Sequence, residues 1–148
     1  MVNNSIKILF KKLHKDAKIP EYKCFGDAGC DLYSIEDTVL KPGERKLIGT
    51  GVSIELPQKN IEAQIRPRSG LAFKYGITVL NSPGTIDFGY HDEIKVIMIN
   101  HGHEDYFIKK GDRFAQMVFS EVYNGVFIKT FEFTDSERGF GGLGHTGV

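Results

Sequence analysis

Apolar side chains recur at every second position in three stretches of this chain: Ile6, Ile8 and Phe10; Val52, Ile54 and Leu56; and Ile61, Ala63 and Ile65. A period of two places such residues on one face of an extended backbone, so the pattern predicts half-buried β-strands. Further strand-like runs are Ile77 to Leu80, Ile94 to Ile99, Tyr106 to Ile108, Phe114 to Phe119 and Val126 to Phe133. Turn residues punctuate them at Pro42-Gly43-Glu44, Leu56-Pro57, Ser82-Pro83-Gly84, Asn100-His101-Gly102 and Lys110-Gly111-Asp112. About ten short strands, with turns roughly every 8 to 12 residues, predict an all-β, antiparallel sandwich of jelly-roll type. The one helical stretch is Ser69 to Tyr75, with Ser69 expected to cap its start and Gly76 its end.

The 148 residues carry 19 Lys+Arg and 19 Asp+Glu, a formal net charge of zero, and 41% are hydrophobic. A chain of this length holds a core without disulfides or a structural metal, and one domain spanning 1–148 is expected. Neutrality argues against a general nucleic-acid binder, which needs a basic stripe to meet phosphates. Cys24 and Cys30 lack the C-x-x-C spacing of a zinc or redox site, which fits a reducing compartment. No apolar run approaches the roughly 18 residues of a membrane helix, and lysines break the N-terminal apolar stretch, so a cytoplasmic protein with no membrane partner is expected. Glycine stands out at 17 of 148 residues, about 11% against a usual value of roughly 7%. Five of these glycines fall in the last ten residues, so 134–148 is expected to form a mobile, glycine-rich C-terminal arm.

Several motifs fail on context. GFGGLG at 139–144 matches G-x-G-x-x-G, but only four residues follow it, too few for the helix that a dinucleotide site requires. HGHED at 101–105 could suggest a metal, yet Gly102 sits where a turn needs it, so a solvated hairpin tip is the expectation.

Five other segments interrupt the strand pattern where a sandwich alone would not require it: AGCDL (28–32), PRSGLA (67–72), NSPGTIDFGY (81–90), GDRFAQ (111–116) and RGFGGLGHTG (138–147). In this order, over the whole chain, they resemble the five motifs of the trimeric dUTP pyrophosphatase (dUTPase) family. The resemblance implies a homotrimer with shared active sites that hydrolyses dUTP to dUMP and pyrophosphate, limiting uracil in DNA and supplying dUMP for dTMP synthesis. Two rival readings find less support in the residues. The related dCTP deaminase lacks the glycine-rich arm that Arg138 to Gly147 supplies here, and a nucleotide-dependent regulatory module of the same fold has no direct support in the residues.

The resemblance assigns roles residue by residue. Arg68, Ser69 and Gly70 match the positions placed against the triphosphate; a serine at a helix start offers a hydroxyl and free N–H groups to an anion, and an arginine adds a planar charged fork. Asn81, Asp87 and Tyr90 match a β-hairpin that holds uracil, activates water and packs on deoxyribose. The Asn81 amide both donates and accepts, as the uracil edge requires. Cytosine would leave buried polar groups unpaired, Tyr90 would clash with a ribose hydroxyl, and the closed cleft would exclude the thymine methyl. Asp87 is the catalytic candidate, because a carboxylate ionised at neutral pH can orient a water and take its proton as the α-phosphorus is attacked.

The charge of a triphosphate implies Mg2+, held chiefly by the phosphates, with Asp31 as the candidate protein contact through water. Gln116 is assigned to the phosphates, whereas Arg113 is assigned to pairing within the trimer. Arg138 matches the arginine on the terminal phosphate, and the arm carrying it is expected to close over bound nucleotide with Leu143, His145 and Thr146. Four departures from the family pattern are visible: Leu143 where phenylalanine commonly stacks on the base, His145, with Thr146 beyond it, where serine commonly follows, Phe114 for isoleucine, and His91-Asp92 where Arg-Gly usually precedes Glu93.

Overall fold

The computed structural model describes residues 5–136, 138, 139, 141 and 142. Its elements in chain order are β1 (Leu9–Lys12), β2 (Cys30–Tyr33), β3 (Thr38–Leu40), β4 (Arg45–Gly49), β5 (Val52–Glu55), β6 (Ile61–Arg66), α1 (Ser69–Tyr75), β7 (Ile77–Val79), β8 (Gly84–Ile86), β9 (Lys95–Asn100), β10 (Tyr106–Ile108) and β11 (Arg113–Glu121). A four-stranded sheet runs β2-β11-β6-β8 and a three-stranded sheet runs β4-β9-β7; two strand pairs, β1-β5 and β10-β3, complete the described set. Each pairing among them is antiparallel. The all-β jelly-roll-like fold with one short helix is therefore the observed architecture, and among the described residues no helix is long and apolar enough to cross a membrane.

Period two does the work the sequence predicts in β6 and β9. Ile61, Ala63 and Ile65 are buried while Glu62, Gln64 and Arg66 lie on the opposite face, and Val96 and Met98 alternate in the same way. These residues join Leu32, Leu40, Ile48, Ile77, Phe114 and Met117 in one contiguous core. Phe114, the departure from isoleucine, is a fully buried part of it.

Three expectations change. Ser69 is not the cap of α1: Arg68 holds the N-cap position in an extended conformation (φ −93°, ψ 126°) with no side-chain cap, and Ser69 is the first helical residue. Gly76 does end the helix, in the left-handed region at φ 69°, returning its N–H to Ala72 and Leu71 carbonyls. The HGHED segment is solvated but is not a hairpin tip, since β9 and β10 belong to different sheets and the loop crosses between them. The stretch Val126 to Phe133 forms no strand. Past β11, Tyr123 and, within the stretch, Val126, Phe127, Ile128, Phe131 and Phe133 are each more than four-fifths exposed, and no strand of the described residues pairs with it.

The first alternating run is also used differently. Ile6, Ile8 and Phe10 line a groove of about 1030 Å3, with Ile8 also packed against the edge of the core. Tyr22, Phe25 and Phe119 complete its apolar wall.

Candidate active site

The structure gathers the candidate residues into two clusters, each built on a strand register. In the first, Asp31 of β2 lies opposite Gln116 of β11, which lies opposite Arg66 of β6. Arg68 follows two residues later, at the junction of β6 and α1. The β11 register shifts between Arg113 and Ala115, a bulge that re-aims the strand at this point.

Asp31 is held from both sides. Arg113 Nη1 donates to Asp31 Oδ2 at 3.0 Å, and Arg68 Nε sits 3.4 Å from Asp31 Oδ1. Arg68 Nη1 donates in turn to the Arg113 carbonyl at 2.7 Å, closing a ring of three charged residues. The hydrogen bond from Arg113 to Asp31 holds the guanidinium above its ordinary pKa, so it stays charged. Arg113 thus pairs with Asp31 of its own chain. Gln116 Nε2 donates to the Pro67 carbonyl at 2.8 Å, tying β11 to the same junction. Its amide lies over Gly29, where a Cβ would come within 2.4 Å of Gln116 Oε1.

Beside this cluster, Ser69 is exposed and Gly70 opens on free space. The first helical hydrogen bonds are donated by Leu71 and Ala72 to the Arg68 carbonyl, so the N–H groups of Ser69 and Gly70 have no acceptor among the described residues.

Asp31 does not fit direct ligation of a metal, since each of its oxygens already faces a guanidinium. Among the described residues no group of three His, Cys, Asp or Glu is placed to hold an ion. Such a donor set suits a divalent cation only if phosphate and water supply most of its ligands.

The second cluster surrounds a cavity of about 210 Å3 lined by Ile65, Val79, Asn81, Gly84, Tyr90 and Ile97 among others. The expected β-hairpin is not one: β7 pairs with β9 and β8 with β6, so the segment 80–83 passes from one sheet to the other and the cavity opens between the two. Gly84 makes room for the Asn81 amide, whose Nδ2 would lie 3.3 Å from a Cβ at that position. The amide has no hydrogen-bond partner among the described residues, and its donor and acceptor are both available at the cavity.

Asp87 follows β8 directly. It is exposed, and its carboxylate makes no hydrogen bond or ion pair among the described residues, while its carbonyl accepts the Tyr90 N–H at 3.1 Å. Tyr90 is 40% exposed and donates its hydroxyl to the Glu93 carbonyl at 2.9 Å.

The two clusters share no hydrogen bond or ion pair among the described residues. Arg138 joins neither: its guanidinium donates to the carbonyls of Gly141 (2.9 Å) and Gly142 (3.2 Å). Leu143, His145 and Thr146 lie outside the described residues, as does most of the expected C-terminal arm.

A family model described as dUTPase matches residues 15–147. The chain belongs to the dUTPase family. A deoxyuridine 5'-triphosphate nucleotidohydrolase of Nautilia profundicola is 56% identical over 142 residues, covering 96% of this chain and 99% of the relative. One from Helicobacter hepaticus is 50% identical over 141 residues, covering 95% and 89%. Among solved structures, the dUTPase of Staphylococcus bacteriophage 80alpha with dUPNHPP superimposes with a TM-score of 0.88 at 29% identity, covering 97% of this chain and 100% of that one. That phage dUTPase is described as controlling transfer of virulence genes by a proto-oncogenic G protein-like mechanism.

Within this dUTPase fold, three features escape motif reading. Gly29 sits inside AGCDL, but its contact with Gln116 joins residues 87 positions apart. Asp92, in the departure from Arg-Gly, accepts the Glu93 N–H at 2.7 Å, and the carbonyl of His91 accepts from Ser53 Oγ at 2.7 Å. Glu93 accepts the Gly51 N–H at 2.9 Å. Only the alternation around Val52 hints that residues 51–53 run beside the segment carrying Tyr90.

Proposed function

We propose that this chain hydrolyses dUTP to dUMP and pyrophosphate in the cytoplasm, as a homotrimer whose active sites are shared between subunits. The observation that carries the reading is the cavity between the two sheets, with the unpartnered Asn81 amide and the Tyr90 ring in its wall and the free Asp87 carboxylate just past β8.

In this reading Asn81 donates to and accepts from the uracil edge, and Tyr90 covers the deoxyribose. Asp87 orients a water and accepts its proton as the water oxygen bonds to the α-phosphorus. The bond from that phosphorus to the bridging oxygen breaks, and pyrophosphate leaves. Arg68, the hydroxyl and amide of Ser69, the amide of Gly70 and the Gln116 side chain face the phosphates. Asp31 keeps Arg68 aimed. Mg2+, when bound, supplies charge neutralisation on the phosphate oxygens. Asp31 would meet it through water. Arg138 pairs with the terminal phosphate, and Leu143, His145 and Thr146 cover the nucleotide.

The trimer is supported by what a lone copy leaves uncovered. The extended segment after β11 presents Phe127, Phe131 and Phe133 at 98%, 93% and 91% exposure, beyond what a soluble monomer usually shows in one place. The apolar groove beside β1 is a matching uncovered surface. The separation of the two clusters likewise suits a site completed by a second copy.

Product analysis with dUTP, dTTP, dCTP and UTP tests the reaction. Pyrophosphate from dUTP alone is expected, and ammonia from dCTP would replace this reading with deamination. Asp87→Asn is expected to hold dUTP affinity within about tenfold while lowering kcat by roughly 10² or more, with unchanged stability because the carboxylate has no partner to lose. Near-normal turnover in the folded variant would remove Asp87 from the chemistry.

A further inference from the structure

We infer that Glu93 is a positioning residue that aims Tyr90 and through it sets the preference for deoxyribose over ribose; this rests on the reading of Tyr90 as the residue against the sugar. Tyr90 is not wedged in place by packing, being 40% exposed. Its single described side-chain hydrogen bond is from its hydroxyl to the Glu93 carbonyl, at 2.9 Å. Whatever fixes that carbonyl therefore aims the ring.

The Glu93 side chain is what reaches out from this segment to the turn between β4 and β5. Its Oε1 accepts the Gly51 N–H at 2.9 Å, and its Oε2 lies 3.5 Å from Lys95 Nζ. The donor itself is immobile. Gly51 has φ +66°, and a side chain there would meet the Cβ atoms of Ala17 and His14 at 2.9 Å, so the turn is packed on both sides of that N–H. Gly49 leaves the space the carboxylate fills, because a Cβ there would lie 2.6 Å from Glu93 Oε1.

The neighbours of Glu93 are tied to the same turn. The His91 carbonyl accepts from Ser53 Oγ at 2.7 Å, and the Ile94 carbonyl accepts from Thr50 Oγ1 at 2.7 Å. Ile94 N–H donates to the Val52 carbonyl at 2.8 Å. The carbonyl that receives the tyrosine hydroxyl thus sits in the middle of a short segment bolted to residues 50–53. Glu93 supplies the bolt at its own position. A carboxylate accepting a backbone N–H in a half-buried place is a strong tether, and a ring swung by a fraction of an ångström no longer meets a ribose hydroxyl at clash distance.

The test is the ratio of kcat/KM for dUTP to that for UTP, measured with melting temperature in each variant. Glu93→Ala is expected to lower the ratio about tenfold, the size of one lost hydrogen bond. Tyr90→Phe severs the same link from the other end and is expected to match it, with the double variant falling no further. Glu93→Gln keeps an acceptor for Gly51 N–H and is expected to restore the ratio to within about threefold of wild type. A purely structural role would lower the melting temperature of Glu93→Ala and leave the ratio alone, which overturns the inference. An unchanged ratio in Tyr90→Phe overturns it too, and that variant serves if Glu93→Ala does not fold. Tyr90→Ala separates the two levels: a ratio that moves there but not in Glu93→Ala sinks the tether alone, and a ratio that moves in neither sinks the sugar reading and the tether with it.

Discussion

Replacing Gly29 by alanine adds one methyl group, and the structure says where that methyl goes. It would stand 2.4 Å from Gln116 Oε1, 3.2 Å from Gln116 Cδ and 3.3 Å from Val118 Cγ2. The backbone of Gly29 is not among the left-handed positions described, so alanine meets no conformational penalty, and the contacts with Gln116 and, less severely, Val118 decide the outcome. The amide is the free end of a flexible side chain and must retreat by roughly 1 Å to reach ordinary contact distance. That retreat breaks the 2.8 Å bond from Gln116 Nε2 to the Pro67 carbonyl, worth about 0.5 to 1.5 kcal/mol. Alanine also restricts the unfolded chain, which returns about 0.4 to 1 kcal/mol, so the net change in melting temperature should stay within about 4 °C. Catalysis should respond far more. A displacement of about 1 Å in a group that positions the phosphates costs up to roughly 10² in rate, so kcat/KM for dUTP is expected to fall between about tenfold and a hundredfold. Pyrophosphate release under steady-state conditions and a thermal melt measure the two quantities. Wild-type kcat/KM in folded Gly29→Ala would refute the placement of Gln116 at the phosphates; a large loss of stability with normal activity would refute the claim that the amide is the main group to give way.

Two further outcomes follow from other parts of the molecule. Ending the chain before Arg138 is expected to keep the trimer while removing most activity, whereas ending it after Glu121, which also deletes the exposed phenylalanines, is expected to yield monomers in light scattering; a truncated protein with full activity would refute the closing arm. Burial raises the Cys30 thiol above its ordinary pKa, and reaction requires the thiolate, so Cys30 should resist a thiol reagent at neutral pH in the folded protein and react only on unfolding; a mass shift on Cys30 under native conditions would contradict its burial.

The parts of the fold legible in the sequence are those where burial is one-sided. β6 reads correctly because its outer face carries Glu62, Gln64 and Arg66, so the period of two survives in the sequence. β2 does not, because Cys30, Asp31, Leu32 and Tyr33 are all buried and no polar face marks the alternation. β8, three residues beginning with glycine, is too short to show a period at all. The apolar run 126–133 misled in the other direction: its residues have strand character, but a strand needs a neighbour, and the single chain provides none. Propensity alone therefore does not make that segment a strand.

For the site, motif order singled out the candidate residues, yet the contacts that organise them join positions that no local pattern links. Asp31 and Arg113 are 82 positions apart, and Arg68 and the Arg113 carbonyl are 45 apart. An arginine in a turn gives no sign of its partner in the sequence, and the register shift after Arg113 exists only once β2 and β11 have paired. The same reasoning applies to Glu93, which read as one more carboxylate in a departed stretch. Its meaning comes from Gly49 and Gly51, whose missing side chains leave a space and an N–H that a long side chain with an acceptor oxygen can reach from the opposite segment. Short motifs of this kind therefore name candidate groups, whereas the residues that aim such groups are found by asking which buried donors and which gaps beside glycine have been filled, and from where.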